Sequence, residues 1–111
     1  MKRGEIYFAN LDPTVGSEIR KKRPVIIVSN NANNKKAATL TIIPITSNTN
    51  KVYPFEVLLE INNSGLPKRS KAQCHQIRTI SKIRIAGKRA GLISKEIMLK
   101  INDALKLHLD F

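Results

Sequence analysis

Short apolar blocks separated by polar segments run along most of the chain, a pattern typical of a sheet of short strands. Residues 4–11 are rich in β-branched and aromatic side chains and stop before an Asp-Pro pair, so they predict a strand. A polar loop over residues 12–22 follows, and the apolar run at residues 25–28 predicts a strand buried on both faces. Residues 30–36 hold four Asn and two Lys, a composition typical of a solvated turn.

Three more strands are expected in the middle of the chain, and beyond residue 80 the strand signal weakens. Thr and Ile dominate the first of them, and Pro54 restricts the start of the second to a sheet edge or a bulge. The predicted strands cover residues 38–45, 53–61 and 72–80, and the predicted polar connections cover residues 46–50 and 62–69.

The C-terminal segment carries a helical signal. Ser94 suits an N-cap. Six of the residues that follow recur at helical spacing and would lie on one face of a helix: Ile97, Met98, Ile101, Ala104, Leu105 and His108. Strands followed by a closing helix, without regular alternation of strand and helix, predict an α+β domain with a mostly antiparallel, barrel-like sheet. The pattern does not decide between an open sheet and a closed barrel. A length of 111 residues suits one compact domain over residues 1–111.

The charge of the chain indicates which class of partner it binds. Twenty Lys and Arg against eight Asp and Glu give a formal net charge of +12, and the basic residues gather at residues 20–23, 68–71 and 78–89. Clustered positive charge attracts polyanions, so the chain is expected to bind nucleic acid or an acidic protein. A contribution to solubility alone is the simpler alternative.

Other classes of protein find little support in the composition. The single cysteine, Cys74, cannot form an internal disulfide, and no Cys and His residues have zinc-ligand spacing, so neither metal nor cofactor is expected. The chain opens MKRGEIYF, without an apolar signal stretch, and no apolar run approaches the ~20 residues that cross a bilayer. We therefore expect a cytoplasmic protein without a membrane segment.

Three ordered segments resemble the MazF/PemK family of toxin ribonucleases from type II toxin–antitoxin systems. The first, residues 3–30, combines a strand ending in Asp and Pro, a Gly16-Ser17-Glu18 triplet, and an Arg23-Pro24 pair that starts an apolar strand ending in Asn30. PITSNTNKVYPFEV at residues 44–57 and QIRTISKIRI at residues 76–85 resemble the second and third signatures. The resemblance implies a small, strongly twisted sheet that closes toward a barrel with helices at its side, and a symmetric homodimer.

The chain departs from the family pattern at two places. Members often carry glycines just before the Arg and Pro pair, where this chain has Arg20, Lys21 and Lys22, which raises the charge of the loop. Many members also have Asp after the Asn of the second strand, where this chain has Asn31.

The resemblance also implies a reaction and the residues that perform it. Family members cut single-stranded RNA without metal by attack of the substrate's 2′-hydroxyl, leaving a 2′,3′-cyclic phosphate and a 5′-hydroxyl. Arg23 matches the catalytic arginine, whose guanidinium suits a phosphoryl group, and Thr46 matches the catalytic threonine, whose hydroxyl can donate to a phosphate oxygen. The resemblance does not say whether Arg23 also shuttles a proton. From composition alone, Arg23 is a loop cation and Thr46 a threonine closing a strand.

Seven further residues are expected to bind RNA: Ser17, Glu18, Lys22, Ser47, Gln76, Arg78 and Arg84. Gln76 would read an unstacked base, and Arg78 and Arg84 would contact phosphates. Glu18 would accept protons from a base edge or orient Arg23, although it could equally be a counter-ion to Lys22. For Gln76 and the two arginines, a solvated basic face is the alternative. His75 is not assigned as a base, because the family motif has no histidine there.

Partners and rival functions complete the sequence-based picture. An acidic antitoxin of the MazE type is expected to cover the basic cleft of a toxin dimer. Toxins that poison DNA gyrase share this fold but lack the Arg and Thr pair, so Arg23 and Thr46 favour the nuclease. A non-catalytic RNA-binding module would be expected to interleave aromatic and basic residues, and the chain has three Phe and two Tyr without such a motif.

Overall fold

A computed structural model describes residues 1–19 and 21–111 of the chain. In these residues seven strands and three helices follow one another, and two single 3₁₀ turns flank the sixth strand. The strands are β1 (Glu5–Asn10), β2 (Lys22–Ile27), β3 (Thr39–Thr46), β4 (Glu56–Leu59), β5 (Ser70–Gln73), β6 (Arg78–Ser81) and β7 (Ile85–Leu92). The helices are α1 (Asn31–Lys36), α2 (Ile61–Ser64) and α3 (Lys95–Leu109), and the 3₁₀ turns are Cys74–Gln76 and Lys82–Arg84.

The strands form one antiparallel sheet, and β3 lies at its centre. The strand order is β4-β5-β3-β2-β1-β7, and β6 pairs with β3 in addition. One edge of β3 pairs with β2, while the other edge pairs with β6 near its start and with β5 at its end. An antiparallel sheet followed by a C-terminal helix confirms the predicted α+β class.

Two apolar clusters fill the space on the opposite faces of this sheet. Consecutive residues of a strand point to opposite faces, so Val25 and Ile27 join one cluster while Ile26 joins the other. The α3 helix packs its buried residues Ile97, Ile101, Ala104 and Leu105 into the Ile26 cluster. The apolar run of β2 is therefore buried on both faces, as its composition predicts.

The helix α3 confirms the C-terminal pattern. The Ser94 side chain accepts a hydrogen bond from the backbone N–H of Ile97 at 3.3 Å, which is the predicted N-cap. His108 is exposed, although the spacing places it on the apolar face; its ring instead lies 6.4 Å from the ring of His75. None of the described helices is long and apolar enough to cross a membrane.

Three predicted connections or strands differ from the structure. Residues 30–36 are not a turn, because the Asn30 side chain caps the helix α1 by accepting from the N–H of Asn33 at 2.8 Å. Only residues 56–59 of the predicted strand 53–61 are extended, and α2 starts at residue 61. The predicted strand 72–80 is broken by the 3₁₀ turn Cys74–Gln76, because β5 and β6 pair with different parts of β3.

The strand β7 has no counterpart in the sequence-based prediction. It contains Gly87 and Gly91 and two basic residues, which gives it low intrinsic strand propensity. Pairing with β1 imposes the strand. Gly91 permits the packing there, because a Cβ at this position would lie 2.2 Å from the backbone oxygen of Ser64.

Candidate active site and RNA-binding cleft

Register between β2 and β3 brings Arg23 and Thr46 together. Val25 pairs with Pro44 in the antiparallel ladder, and continuing that register by two residues sets Arg23 opposite Thr46. Residues directly opposite each other in such a ladder project from the same face, with Cβ atoms about 5 Å apart. Both side chains are half-buried. Two residues that lie 23 positions apart in the sequence thus share one surface of the sheet.

The turn that follows β3 orients the hydroxyl of Thr46. Thr46 Oγ1 accepts a hydrogen bond from the backbone N–H of Asn48 at 3.3 Å, and Asn48 Oδ1 accepts from the N–H of Asn50 at 3.2 Å. Because the Thr46 oxygen is the acceptor in this contact, its own O–H proton is available to donate. A donor at this position is what the predicted phosphate contact requires.

A buried ion pair supports the loop that starts at Thr46. Lys71, which pairs with Thr46 in the β3–β5 ladder, places Nζ 3.0 Å from the Glu56 carboxylate and 2.6 Å from the carbonyl oxygen of Lys51. The same carboxylate oxygen accepts from the N–H of Tyr53 at 3.0 Å. The sequence gives no sign of this cluster, since charged residues are mostly exposed.

The loop between β1 and β2 is held by its own polar groups. Its tip closes where Glu18 accepts from the backbone N–H of Val15 and donates its own N–H to the Val15 carbonyl at 3.2 Å. Ser17 is exposed at this tip. Within residues 1–19 and 21–111 no ion pair joins Glu18 to Lys22, so the counter-ion alternative is not supported. Arg20, part of the basic run, lies outside the described residues.

Lys21 adopts the left-handed conformation, with a φ of 70°. The left-handed region favours glycine, which is the residue that the family pattern often has at the end of this loop. The loop therefore has a glycine-type bend at a position occupied by lysine. Its ends are joined by hydrogen bonds from Lys21 N to Asp12 Oδ1 at 3.2 Å and from Leu11 N to the Lys21 carbonyl at 3.0 Å.

Beside the Arg23 and Thr46 face lies a cleft of about 220 Å³, which we call the Gln76 cleft. It brings together three of the predicted RNA-binding residues from distant parts of the sequence. Its lining consists of Glu18, Ile19, Pro44, His75, Gln76, Ile77 and Arg78. Pro44 precedes Thr46 by two residues on β3, so the cleft opens next to the predicted catalytic threonine.

His75 is a lining residue that sequence reasoning set aside. Its imidazole is half-buried and packs edge-on against the Phe55 ring, with the two ring centroids 4.5 Å apart. Burial lowers the pKa of His75. Nδ1 of His75 is buried and has no hydrogen-bond partner among the described residues. A neutral imidazole with an unused nitrogen suits contact with a nucleobase, although no signal in the sequence pointed to it.

Lys22 and Ser47 lie apart from the Gln76 cleft, in a second cleft that Arg23 also lines. Each is the chain neighbour of a predicted catalytic residue, Lys22 on β2 and Ser47 just after the end of β3. Both line this second cleft of about 330 Å³, with Phe8, Lys21, Arg23, Pro24, Ile45, Leu66, Pro67, Lys68 and Ser70. The structure thus separates these two residues from the Gln76 cleft.

Arg78 and Arg84 donate to main-chain carbonyls. Arg78 Nη1 donates to the Leu11 carbonyl at 3.2 Å, and Arg84 Nη1 donates to the carbonyls of Asn10, at 3.2 Å, and Asp12. Each guanidinium has five N–H donors, and these contacts use one or two of them. Phosphate contact stays a prediction for both residues. No three His, Cys, Asp or Glu side chains in the described part of the chain are grouped so as to hold a metal ion.

Comparisons with known proteins agree with this architecture along its whole length. A family model described as PemK-like, MazF-like toxin of type II toxin-antitoxin system matches residues 2–109. Endoribonuclease MazF9 of Mycobacterium tuberculosis is 44% identical over 115 residues, which cover 99% of this chain and 97% of that protein.

Two solved structures show the same fold. An endoribonuclease in complex with its cognate antitoxin, from a mycobacterial species, is 27% identical with a TM-score of 0.80, covering 100% of this chain and 96% of that one. MazF from Deinococcus radiodurans is 21% identical with a TM-score of 0.87, and the match covers 100% of this chain and 97% of that one.

The sequence and the fold both lead to one family. Its model spans almost the whole chain, and the most similar relative named above is itself an endoribonuclease. This finding favours the nuclease over the gyrase poison and the non-catalytic RNA-binding module. The chain belongs to the PemK-like, MazF-like toxins of type II toxin–antitoxin systems, and it is an endoribonuclease.

Proposed function

We propose that the chain cuts single-stranded RNA at Arg23 and Thr46 by attack of a ribose 2′-hydroxyl on the adjacent phosphorus. The bond to the 5′-oxygen breaks, so the products carry a 2′,3′-cyclic phosphate and a 5′-hydroxyl. The observation that carries the proposal is the placement of both side chains on one face of the β2–β3 pair, beside the Gln76 cleft. The RNA supplies its own nucleophile, so the protein's task is alignment and charge stabilisation.

Each of the two residues has a distinct task in this reaction. The Arg23 guanidinium is planar and permanently charged, so it can donate two parallel hydrogen bonds to the non-bridging phosphate oxygens as negative charge develops on them. The Thr46 hydroxyl, whose oxygen accepts from Asn48 N–H, donates its proton to a phosphate oxygen or holds the attacking group in line. Both residues lie on paired strands, so their backbone positions are set before RNA binds, which favours effective stabilisation.

The Gln76 cleft gives a reason for sequence preference and for single strands. A base can enter a recess of this kind only when it is unstacked, which duplex RNA does not permit. Gln76 offers both a donor and an acceptor to the base edge, and the carboxylate of Glu18 offers an acceptor. We assign the remaining predicted contacts to the exposed hydroxyl of Ser17 at the loop tip and to Lys22 and Ser47 around the strand ends.

Two protein partners belong to the proposal. The net charge of +12 favours an acidic antitoxin segment, and one structural relative was solved with its cognate antitoxin. The resemblance further implies a homodimer. With cellular mRNA as the substrate, the toxin would act in the cytoplasm.

Two variants, each with a matched control, test the catalytic assignment. Single-turnover cleavage of a long mixed-sequence RNA should fall at least about a hundredfold in Arg23→Ala and in Thr46→Ala, which corresponds to about 2.7 kcal/mol of transition-state stabilisation. RNA affinity should fall much less, because many cations share the ground-state attraction. Arg89→Ala and Thr39→Ala remove the same side chains at exposed sites and should cut at the wild-type rate.

The products and the requirement for metal are read in the same assay. Excess chelator should leave the rate unchanged, and the new 5′ ends should accept phosphate from a polynucleotide kinase without prior phosphatase treatment. Wild-type rates in Arg23→Ala and Thr46→Ala together with an inactive His75→Ala would show that the site is wrong. Activity that is lost in chelator and restored by magnesium would exclude the mechanism.

A further inference from the structure

Two arginines from one distant segment hold the end of β1. The segment from β6 to the start of β7 carries Arg78 and Arg84, both half-buried. Their Nη1 atoms donate to three consecutive carbonyls, those of Asn10, Leu11 and Asp12. Three successive acceptors at a strand end leave the chain little freedom to shift, because charge-assisted hydrogen bonds are stronger than neutral ones.

This strand end is joined directly to the residues that precede Arg23. Asn10 pairs with Lys22 in the β1–β2 ladder. Leu11 N donates to the Lys21 carbonyl at 3.0 Å, and Lys21 N donates to Asp12 Oδ1 at 3.2 Å. Residues 10–12 and 21–22 therefore form one hydrogen-bonded unit, which we call the loop root.

The other side of the contact is tied to Thr46. Arg78 lies on β6 and pairs with Ile42 of β3, the strand that ends at Thr46. A displacement of the loop root relative to β6 would move Arg23 relative to Thr46, because one residue follows the loop root and the other terminates the partner strand.

We propose that Arg78 and Arg84 are positioning residues, which fix the loop root and thereby set Arg23 against Thr46. This inference rests on the proposed function for its catalytic consequence, although the structural restraint stands on the hydrogen bonds alone. In this role the arginines act on the rate of cleavage and not on the binding of RNA. A misplacement of about 1 Å in a preorganised site can cost on the order of a hundredfold in rate.

A role as phosphate contacts makes a different prediction for the same residues. Removing a cation that neutralises one phosphate of a single strand lowers the slope of log affinity against log salt by about 0.7. Removing a positioning residue leaves that slope unchanged. The two roles are thus separated by the salt dependence of binding, independently of how much the rate falls.

The experiment compares Arg84→Gln and Arg78→Gln with Lys88→Gln, which removes an exposed positive charge of β7. We expect cleavage at saturating RNA to slow about tenfold or more in both arginine variants, with Kd within about twofold and an unchanged salt slope. Hydrogen–deuterium exchange should accelerate in peptides covering residues 10–22 and stay at the wild-type rate in Lys88→Gln. Thermal unfolding of each variant shows that it is folded, and Arg84→Gln carries the test if Arg78→Gln is not.

A salt slope lowered by about 0.7, with wild-type exchange in the loop root and a wild-type rate at saturating RNA, would overturn the inference. If the wild-type chain does not cut RNA, the proposed function fails. Faster exchange of residues 10–22 in Arg84→Gln would still confirm the structural restraint in that case. Unchanged exchange in both arginine variants would refute the restraint whatever the activity of the wild type.

Discussion

Lys71→Met should be among the more destabilising single substitutions in this chain. The Lys71 and Glu56 side chains are only 10% and 2% exposed, and Nζ lies 3.0 Å from the carboxylate. Lys71 also donates to the Lys51 carbonyl at 2.6 Å and lies 6.0 Å from the centre of the Tyr53 ring. Methionine fills a similar volume but provides no donor, so the Glu56 carboxylate would stay buried without its cation.

The size of the loss in the free energy of unfolding depends on the hydrogen-bond partners that Glu56 keeps in Lys71→Met. Removing one member of a buried ion pair costs about 3–5 kcal/mol in general. Because the N–H of Tyr53 still donates to the carboxylate, we expect the lower end, about 3 kcal/mol. With an m-value of about 1.5 kcal/mol/M, the midpoint of urea unfolding should fall by about 2 M.

A double variant distinguishes the loss of the ion pair from a packing defect. Lys71→Met combined with Glu56→Leu removes both charges, so most of the stability should return. Lys68→Met, on the exposed segment just before β5, is the matched control and should change the midpoint little. A loss below about 1 kcal/mol in Lys71→Met, or a double variant less stable than the single one, would refute the reasoning.

Three further outcomes are expected. Gly91→Ala should cost about 2–3 kcal/mol in urea unfolding, because its new Cβ would lie 2.2 Å from a backbone oxygen. Gly87→Ala should cost less, about 1 kcal/mol, because its Cβ meets nothing and only the left-handed φ of 76° is strained. Burial raises the pKa of Cys74 to about 12, so iodoacetamide should alkylate it only after unfolding, as mass spectrometry would show. Burial lowers the pKa of His75. The unfolded state therefore binds more protons, and the free energy of unfolding should drop below about pH 6.5 more in the wild type than in His75→Phe.

Hydrophobic periodicity was enough to predict the elements whose apolar spacing matches the faces that are buried in the fold. The strand around residues 25–28 and the helix α3 follow from apolar spacing and a serine cap, and both are present. The strand β7 could not be predicted in this way, since Gly87 and Gly91 have low strand propensity and only β1 makes the segment extended. Asn30 similarly turns an asparagine-rich stretch into a capped helix, although the same residues are common in turns.

The residues of the candidate site likewise fall into those that the sequence indicated and those that only the structure shows. Arg23 and Thr46 were found through the family resemblance, and their proximity is a matter of strand register that no local pattern contains. The lining of the Gln76 cleft depends on the 3₁₀ turn that interrupts β5 and β6, so His75 carried no signal in the sequence. The Lys71 and Glu56 pair was hidden for a further reason, because an isolated charged residue in a sequence is expected on the surface.

The central position of β3 in the sheet makes the catalytic end of this strand less tolerant of change than the lining of the Gln76 cleft. Both edges of the strand are occupied, by β2 on one side and by β6 and β5 on the other, and Thr46 itself pairs with Lys71 of β5. Part of the Gln76 cleft lining comes instead from a surface loop and a single 3₁₀ turn, which tolerate substitution far better than the paired strands that supply Pro44 and Arg78. Evolution or an engineer could therefore exchange the residues of the loop and the turn to reach a new RNA motif, while the hydroxyl at the end of β3 stays where the chemistry requires it.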